Sequence, residues 1–168
     1  VVCVISAGIA GLTSAYLLSK EGKEVVLIDA MGIGAGETGR TTAHFFPPDE
    51  WYVDIENAFG LAKARLIADS FSSATSLVES IIQKEGIECE FERLNGYLYA
   101  LPANGFKELD KEVEAARRAG VDAEQLAHVP GLSFDTGPCV QYKNQAQFHP
   151  LKYVSGLAQA FVSNGGKI

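Results

Sequence analysis

Cysteine is scarce in this chain: Cys3, Cys89 and Cys139 are three in number, far apart, and form no C-x-x-C pair. An odd, scattered set supports neither a disulfide framework nor a zinc site, so no metal is expected and the reducing cytoplasm is the compartment that fits. Cys3 lies in an apolar run and reads as a small core residue. Basic residues are also short, 14 Lys and Arg against 21 Asp and Glu, giving a net charge of −7. That balance argues against nucleic acid or an anionic membrane as a partner. No apolar run reaches the length of a membrane span, and no signal-peptide pattern is read. H-E-x-x-H, G-x-S-x-G and Walker A patterns are missing too, so metalloprotease, α/β-hydrolase and P-loop readings fall away.

What is present is concentrated in the first thirty residues. Val1-Val2-Cys3-Val4-Ile5 is a β-branched run that reads as a strand buried on both faces. A small-residue turn follows, Ser6-Ala7-Gly8-Ile9-Ala10-Gly11, and then a helix with Leu12, Ala15, Tyr16 and Leu18 on one side. Gly22 ends that helix, and Val25-Val26-Leu27-Ile28 is a second strand closing on Asp29 and Ala30. Strand, tight turn, helix, strand and acid make the layout of a dinucleotide-binding βαβ unit. A pyrophosphate must be met by unpaired backbone N–H groups, and a helix N-terminus at Gly8 to Leu12 offers them with the positive end of its dipole. Gly8 lets phosphate approach the backbone, Gly11 lets helix and strand pack closely, and Asp29 is placed for the adenosine ribose hydroxyls. No Arg or Lys follows Asp29 directly, which disfavours a 2′-phosphate. The fingerprint asks for glycine where this chain has Ser6; a strained backbone there would cost about 1–2 kcal/mol, roughly tenfold in affinity.

A glycine-dense loop, Met31 to His44, comes next, with Gly39-Arg40-Thr41-Thr42 supplying a guanidinium and two hydroxyls suited to phosphate. These segments together resemble FAD-dependent oxidoreductases of the D-amino-acid oxidase superfamily. The later Phe148-His149-Pro150-Leu151-Lys152-Tyr153, with Gly156-Leu157-Ala158 and Gly165-Gly166, is similar to that superfamily's return helix to the flavin domain. The resemblance implies an α/β fold: an incomplete Rossmann-like FAD-binding parallel sheet with a portion of an antiparallel substrate domain. It implies a division into 1–85 (FAD side, with a long helical segment), 86–147 (substrate domain) and 148–168 (return helix). It also implies that Ser6, Ala7, Gly8, Ile9, Ala10 and Gly11 hold the pyrophosphate and Asp29 and Ala30 the ribose. Gly39, Arg40, Thr41 and Thr42 would line the phosphate and ribityl part of FAD. The first residue stands inside a strand and the last, Gly165-Gly166-Lys167-Ile168, begin another, so the chain reads as a piece of a longer protein.

Between these parts, Asp54 to Glu85 reads as a long helix broken near Gly60, with Ile55, Phe59, Ala62, Leu66, Ser73, Leu77 and Ile81 inward. Glu88–Leu94 and Tyr97–Leu101 flank Asn95-Gly96 and are expected to form a hairpin. Tyr97 and Tyr99 share one face of it and read as half-buried sheet residues. Glu108 to Arg118 is a charged helix with Glu114 spaced to pair with Arg117 and Arg118 and with Val113 and Ala116 inward. Asp122 is expected to cap a short helix that Pro130-Gly131 ends. Cys139–Tyr142 is a further strand, and Pro150 opens the last helix, with Leu151, Val154, Leu157, Ala158 and Phe161 inward. His44 and His149 are read as structural and His128 as a surface residue.

The function implied is oxidation of a small-molecule amine or amino acid by hydride transfer to FAD, with no catalytic side chain assignable and the oligomeric state open. An NAD-linked dehydrogenase shares the same ADP-binding half. A non-catalytic nucleotide-binding remnant is the reading outside enzymes.

Overall fold

In the computed structural model, which describes residues 1–48, 51–99 and 106–168, the order of elements is β1 (Val2–Ile5), α1 (Ile9–Lys20), β2 (Val25–Ile28), β3 (His44–Phe45), α2 (Tyr52–Phe59), α3 (Leu61–Glu85), β4 (Glu92–Tyr99), α4 (Phe106–Arg118), β5 (Ala123–Leu126), β6 (Cys139–Gln147) and α5 (Pro150–Ser163). The residues divide into two units. One comprises Val1–His44, Val78–Phe91 and Gln147–Ile168, the other Phe45–Leu77 and Glu92–Ala146.

In the first unit β1 and β2 pair in parallel, with Val2 opposite Val25 and Ile5 opposite Ile28. Lys167 bridges to Val26 in the same sense, and its carbonyl accepts the Leu27 N–H at 2.7 Å, so a third segment lines β2. Helix α1 packs against both strands and against α5, and Leu12, Ala15, Tyr16, Leu157 and Phe161 are buried. His149 caps α5 through Nδ1, which accepts the Lys152 N–H, and Pro150 takes the first helical position, where its missing N–H costs nothing. The expectation of strands buried on both faces fails. In a parallel pair, facing residues point to the same side, so Val25 and Leu27 turn inward while Cys3, Ile5 and Ile28 turn out. Ile5 is 77% exposed, and Cys3 is exposed rather than a core residue.

In the second unit β6 is the central strand, pairing with β3, β4 and β5. The expected helix after Asp122 is instead β5, antiparallel to β6 from Ala123 opposite Tyr142 to Leu126 opposite Cys139. Ala-Glu-Gln-Leu has helical propensity, and pairing with a buried strand overrides it. The expected hairpin is also corrected. Asn95 and Gly96 sit inside the single strand β4, and a Cβ at Gly96 would run into the Phe46 ring, so this glycine admits an aromatic ring and makes no turn. Ala100 and Leu101 of that expectation lie outside the described residues.

Gly60, at φ 81°, separates α2 from α3 as the sequence suggests. The inward stripe of α3 keeps Ile81 as expected but otherwise differs from the expected one. Ala64, Ala68, Thr75, Val78 and Ile81 are buried, whereas Phe59, Leu66 and Leu77 are exposed, Leu66 by 68%. Small residues face inward at the start of α3, and the core of the second unit is built from Tyr52, Ile55, Leu109, Val113 and Tyr142 around them. On α4, Val113 and Ala116 are inward and Glu114 reaches Arg118 at 4.0 Å, but Glu112 is not on a solvated face. It is 1% exposed, and its carboxylate accepts the N–H groups of Tyr52 and Val53 at 3.0 Å each and the Tyr142 hydroxyl at 2.7 Å. Helix α2 carries no cap of its own, and this carboxylate from α4 supplies one. Among the described residues no helix is long and apolar enough to cross a membrane.

Candidate functional site

The Ser6–Gly11 turn leaves β1 with the Ser6 N–H donating to the Ile28 carbonyl at 2.8 Å, and Ser6 adopts φ 102°. A non-glycine residue in that region is strained. The strain lies at the position where the fingerprint asks for glycine. A Cβ at Gly11 would collide with the Ser6 carbonyl oxygen, so α1 can sit this close to β1 only with glycine there. A Cβ at Gly8 would lie 3.0 Å from Thr38 Oγ1.

Two hydroxyls cover the helix N-terminus. Ser6 Oγ accepts the Gly8 N–H at 3.3 Å, and Thr38 Oγ1 accepts the Ile9 N–H at 3.0 Å. The first intrahelical bond runs from the Leu12 N–H to the Gly8 carbonyl, which leaves the Ala10 and Gly11 N–H groups without an acceptor among the described residues. No acidic side chain stands in the first turn of α1. The positive end of the helix is therefore open to an anion.

Asp29 fastens the turn to the loop behind it. One carboxylate oxygen accepts the Ala7 N–H at 2.8 Å; the other accepts the N–H groups of Met31 and Gly32 at 2.8 and 2.9 Å. These donors, Ala7 first, hold its carboxyl below the usual carboxylate range. The loop is tied back again by the Gly34 N–H, which donates to the Ala7 carbonyl at 3.0 Å. Gly34 itself lies against Leu151 and Val154 of α5, where a Cβ would stand 2.8 Å from Leu151. Gly39 sits close to the Gly34 carbonyl, and Ala30 is an exposed bend.

The structure thus brings Ser6 to Gly11, Asp29 and the glycine loop into one hydrogen-bonded cluster. Arg40 pairs with Glu37 at 3.0 Å on the exposed turn that also carries Thr38, and Thr41 Oγ1 accepts the Ala43 N–H at 3.2 Å. Thr42 lines a recess of about 250 Å³ with His44, Glu90 and His149. Thr38 was missed by sequence reasoning, which gave the loop's polar role to Arg40, Thr41 and Thr42; its signal was a lone hydroxyl between Gly36 and Gly39.

The residues fit a dinucleotide. They provide open N–H donors, a first helical turn free of acid, and a carboxylate at the end of β2 with one acceptor site left for a hydroxyl donor. Comparison with known proteins agrees. The chain is 34% identical over 168 residues to the putative Rieske 2Fe-2S iron-sulfur protein YhfW of Bacillus subtilis, covering 99% of this chain and 33% of that protein. It is 27% identical to the gamma-glutamylputrescine oxidoreductase of Escherichia coli, covering 99% of this chain and 40% of the relative. The L-amino acid deaminase of Proteus myxofaciens, solved in complex with anthranilate, shares the fold at a TM-score of 0.78 and 13% identity, over 99% of this chain and 37% of that one. The chain therefore spans between 33% and 40% of these curated relatives. A family model described as FAD dependent oxidoreductase matches residues 2–168, and the chain belongs to that family, DAO.

Proposed function

We propose that this chain is the nucleotide-binding part of a flavoenzyme that oxidises a small amine or amino acid. Ser6 to Gly11 would hold the FAD pyrophosphate and Asp29 with Ala30 the adenosine ribose, while Thr38 to Thr42 would line the remaining phosphate and ribityl portion. The observation that carries this is the start of α1, where the Ala10 and Gly11 N–H groups stay open beside the two capped by Ser6 and Thr38 and the glycine loop is tied against the turn. FAD, when bound, supplies a two-electron acceptor for hydride from the C–H bond beside an amine nitrogen. This chain's residues contribute binding and orientation. Residues 86–147 are proposed as part of the substrate domain, and the cytoplasm as the compartment.

The name of the Bacillus subtilis relative raises an iron–sulfur centre. Such a centre needs two cysteines and two histidines brought together. Here the three cysteines are free and separate, and no group of three or more metal-binding side chains occurs among the described residues. These residues do not fit it.

Incubation with FAD followed by removal of free dye tests the proposal. The expected outcome is a protein with persistent visible flavin bands, lost in Gly8→Asp, which puts a carboxylate where phosphate is expected. A colourless protein that binds NAD moves the reading to a dehydrogenase; where neither binds, the same test on a chain extended past Ile168 separates an incomplete site from a non-catalytic remnant.

A further inference from the structure

The second unit contains a recess of about 200 Å³ that the dinucleotide reading leaves without a role. One wall is a single face of α3, where Ala68, Asp69, Phe71, Ser72 and Thr75 recur at helical spacing. The facing wall is made by Phe46 and by Lys143 of β6, with Tyr52 also lining the recess. Its apolar surface is mixed, with Pro47, Ala68 and Val121 beside the rings of Phe46 and Phe71. Phe71 is left 45% exposed there, and Phe46 packs edge-on to the Tyr142 ring at 6.0 Å between centroids.

The polar groups are few and asymmetric. Tyr52 is 2% exposed, yet its hydroxyl has no hydrogen-bond partner among the described residues. Burial, then the nearby Glu112 charge, pushes that phenol up to about 12, so it remains a protonated donor at neutral pH. Asp69 stands on α3 with no cation beside it among the described residues. The cation present, Lys143, is already neutralised by Asp122 at 3.7 Å and Glu124 at 3.4 Å. The recess therefore combines aromatic side chains, a Tyr52 hydroxyl without a partner among the described residues, and one carboxylate, Asp69, without a cation in ion-pair reach among them.

We propose that this recess binds a small organic cation, a protonated primary amine carried on a compact aromatic or aliphatic body. Size sets the upper limit. About 200 Å³ holds roughly seven waters at their liquid volume of ~30 Å³ each, well below the range for drug-sized ligands. The aromatic faces of Phe46 and Phe71 would take the body and attract the cation, and Asp69 would pair with the ammonium. All these residues belong to one unit, so the site is independent of flavin binding.

Benzylammonium is the probe, titrated into the protein with and without FAD and followed by protein NMR shifts, with neutral benzyl alcohol as the isosteric control. The expected result is saturable binding at about millimolar concentration, with shifts centred on Tyr52, Ala68 and Thr75 in both conditions. Benzyl alcohol and the Asp69→Asn variant should each weaken it by about fivefold, the most an exposed ion pair contributes. Ser72→Trp, which plugs the recess from the exposed side of α3, should abolish it while leaving the melting temperature unchanged. Absence of saturable binding, equal binding of the alcohol, or shifts confined to the other unit would overturn the proposal.

Discussion

Ser6 and Glu112 show how single residues can carry a load that composition hides. Ser6 holds φ 102° in the turn, a conformation that costs about 1–3 kcal/mol outside glycine. Ser6→Gly relieves that strain and adds back about 0.5–1 kcal/mol of chain entropy. The expected net is a melting temperature higher by about 2–4 °C, with FAD affinity within about threefold of the parent; a large gain in affinity without added stability would show that the strain is incurred on binding. Glu112 is a buried carboxylate with no cation paired to it among the described residues, satisfied by two backbone N–H groups and a phenol. Glu112→Gln keeps one acceptor oxygen and should cost about 1–2 kcal/mol in urea unfolding, whereas Glu112→Ala, which strands three donors, should cost about 3 kcal/mol or more. Equal losses would mean that the three bonds matter less than the packing. Asp29 adds a pH dependence. Its folded carboxyl titrates below the ordinary range because Ala7, Met31 and Gly32 donate to it. Its contribution is complete above the ordinary range and is lost as pH falls through the lowered value. An NMR titration of the Asp29 carboxyl carbon should give a midpoint below that of a short peptide with the same residues, and coincidence of the two would remove the effect.

At the level of elements, the strand–turn–helix–strand at the N-terminus was legible because each piece is local. A β-branched run, a glycine turn, a helical stripe and a closing acid need no partner to be recognised. Gly96 shows where that local reading stops. Asn-Gly between alternating residues is the signal of a hairpin, and nothing nearby in the chain reveals that Phe46 lies across the strand at that point. Gly96→Ala should therefore destabilise by about 1–3 kcal/mol as an overpacked contact, and Phe46→Leu should recover most of that loss in the double variant. Additive losses in the two single variants would indicate that the ring and the glycine do not interact. β5 and the stripe of α3 failed for the same reason. Whether Ala123–Leu126 is strand or helix, and whether Leu66 or Ala64 faces inward, is settled by β6 and by the neighbouring side chains, which lie far away in sequence. Within the candidate site, the glycines and Asp29 could be read from spacing, while Thr38 emerged only when the loop was seen folded back on the turn.

For the molecule as a whole, the three thiols report on burial. Cys3 lies on the open face of β1, whereas Cys89 and Cys139 are buried, and that burial pushes both thiols up. A maleimide should modify one cysteine quickly in the native protein and the other two only in denaturant; two fast sites would mean that one unit is opening. The division of the chain has a further consequence, for its birth on the ribosome. Neither unit is a continuous stretch, and α3 changes membership between Leu77 and Val78. The segment carrying α1 leaves the exit tunnel well before α5, which packs on α1, and before Lys167, which extends the sheet. Until α5 emerges the nascent chain thus holds an apolar helix stripe without that cover, the kind of surface that holdase chaperones bind.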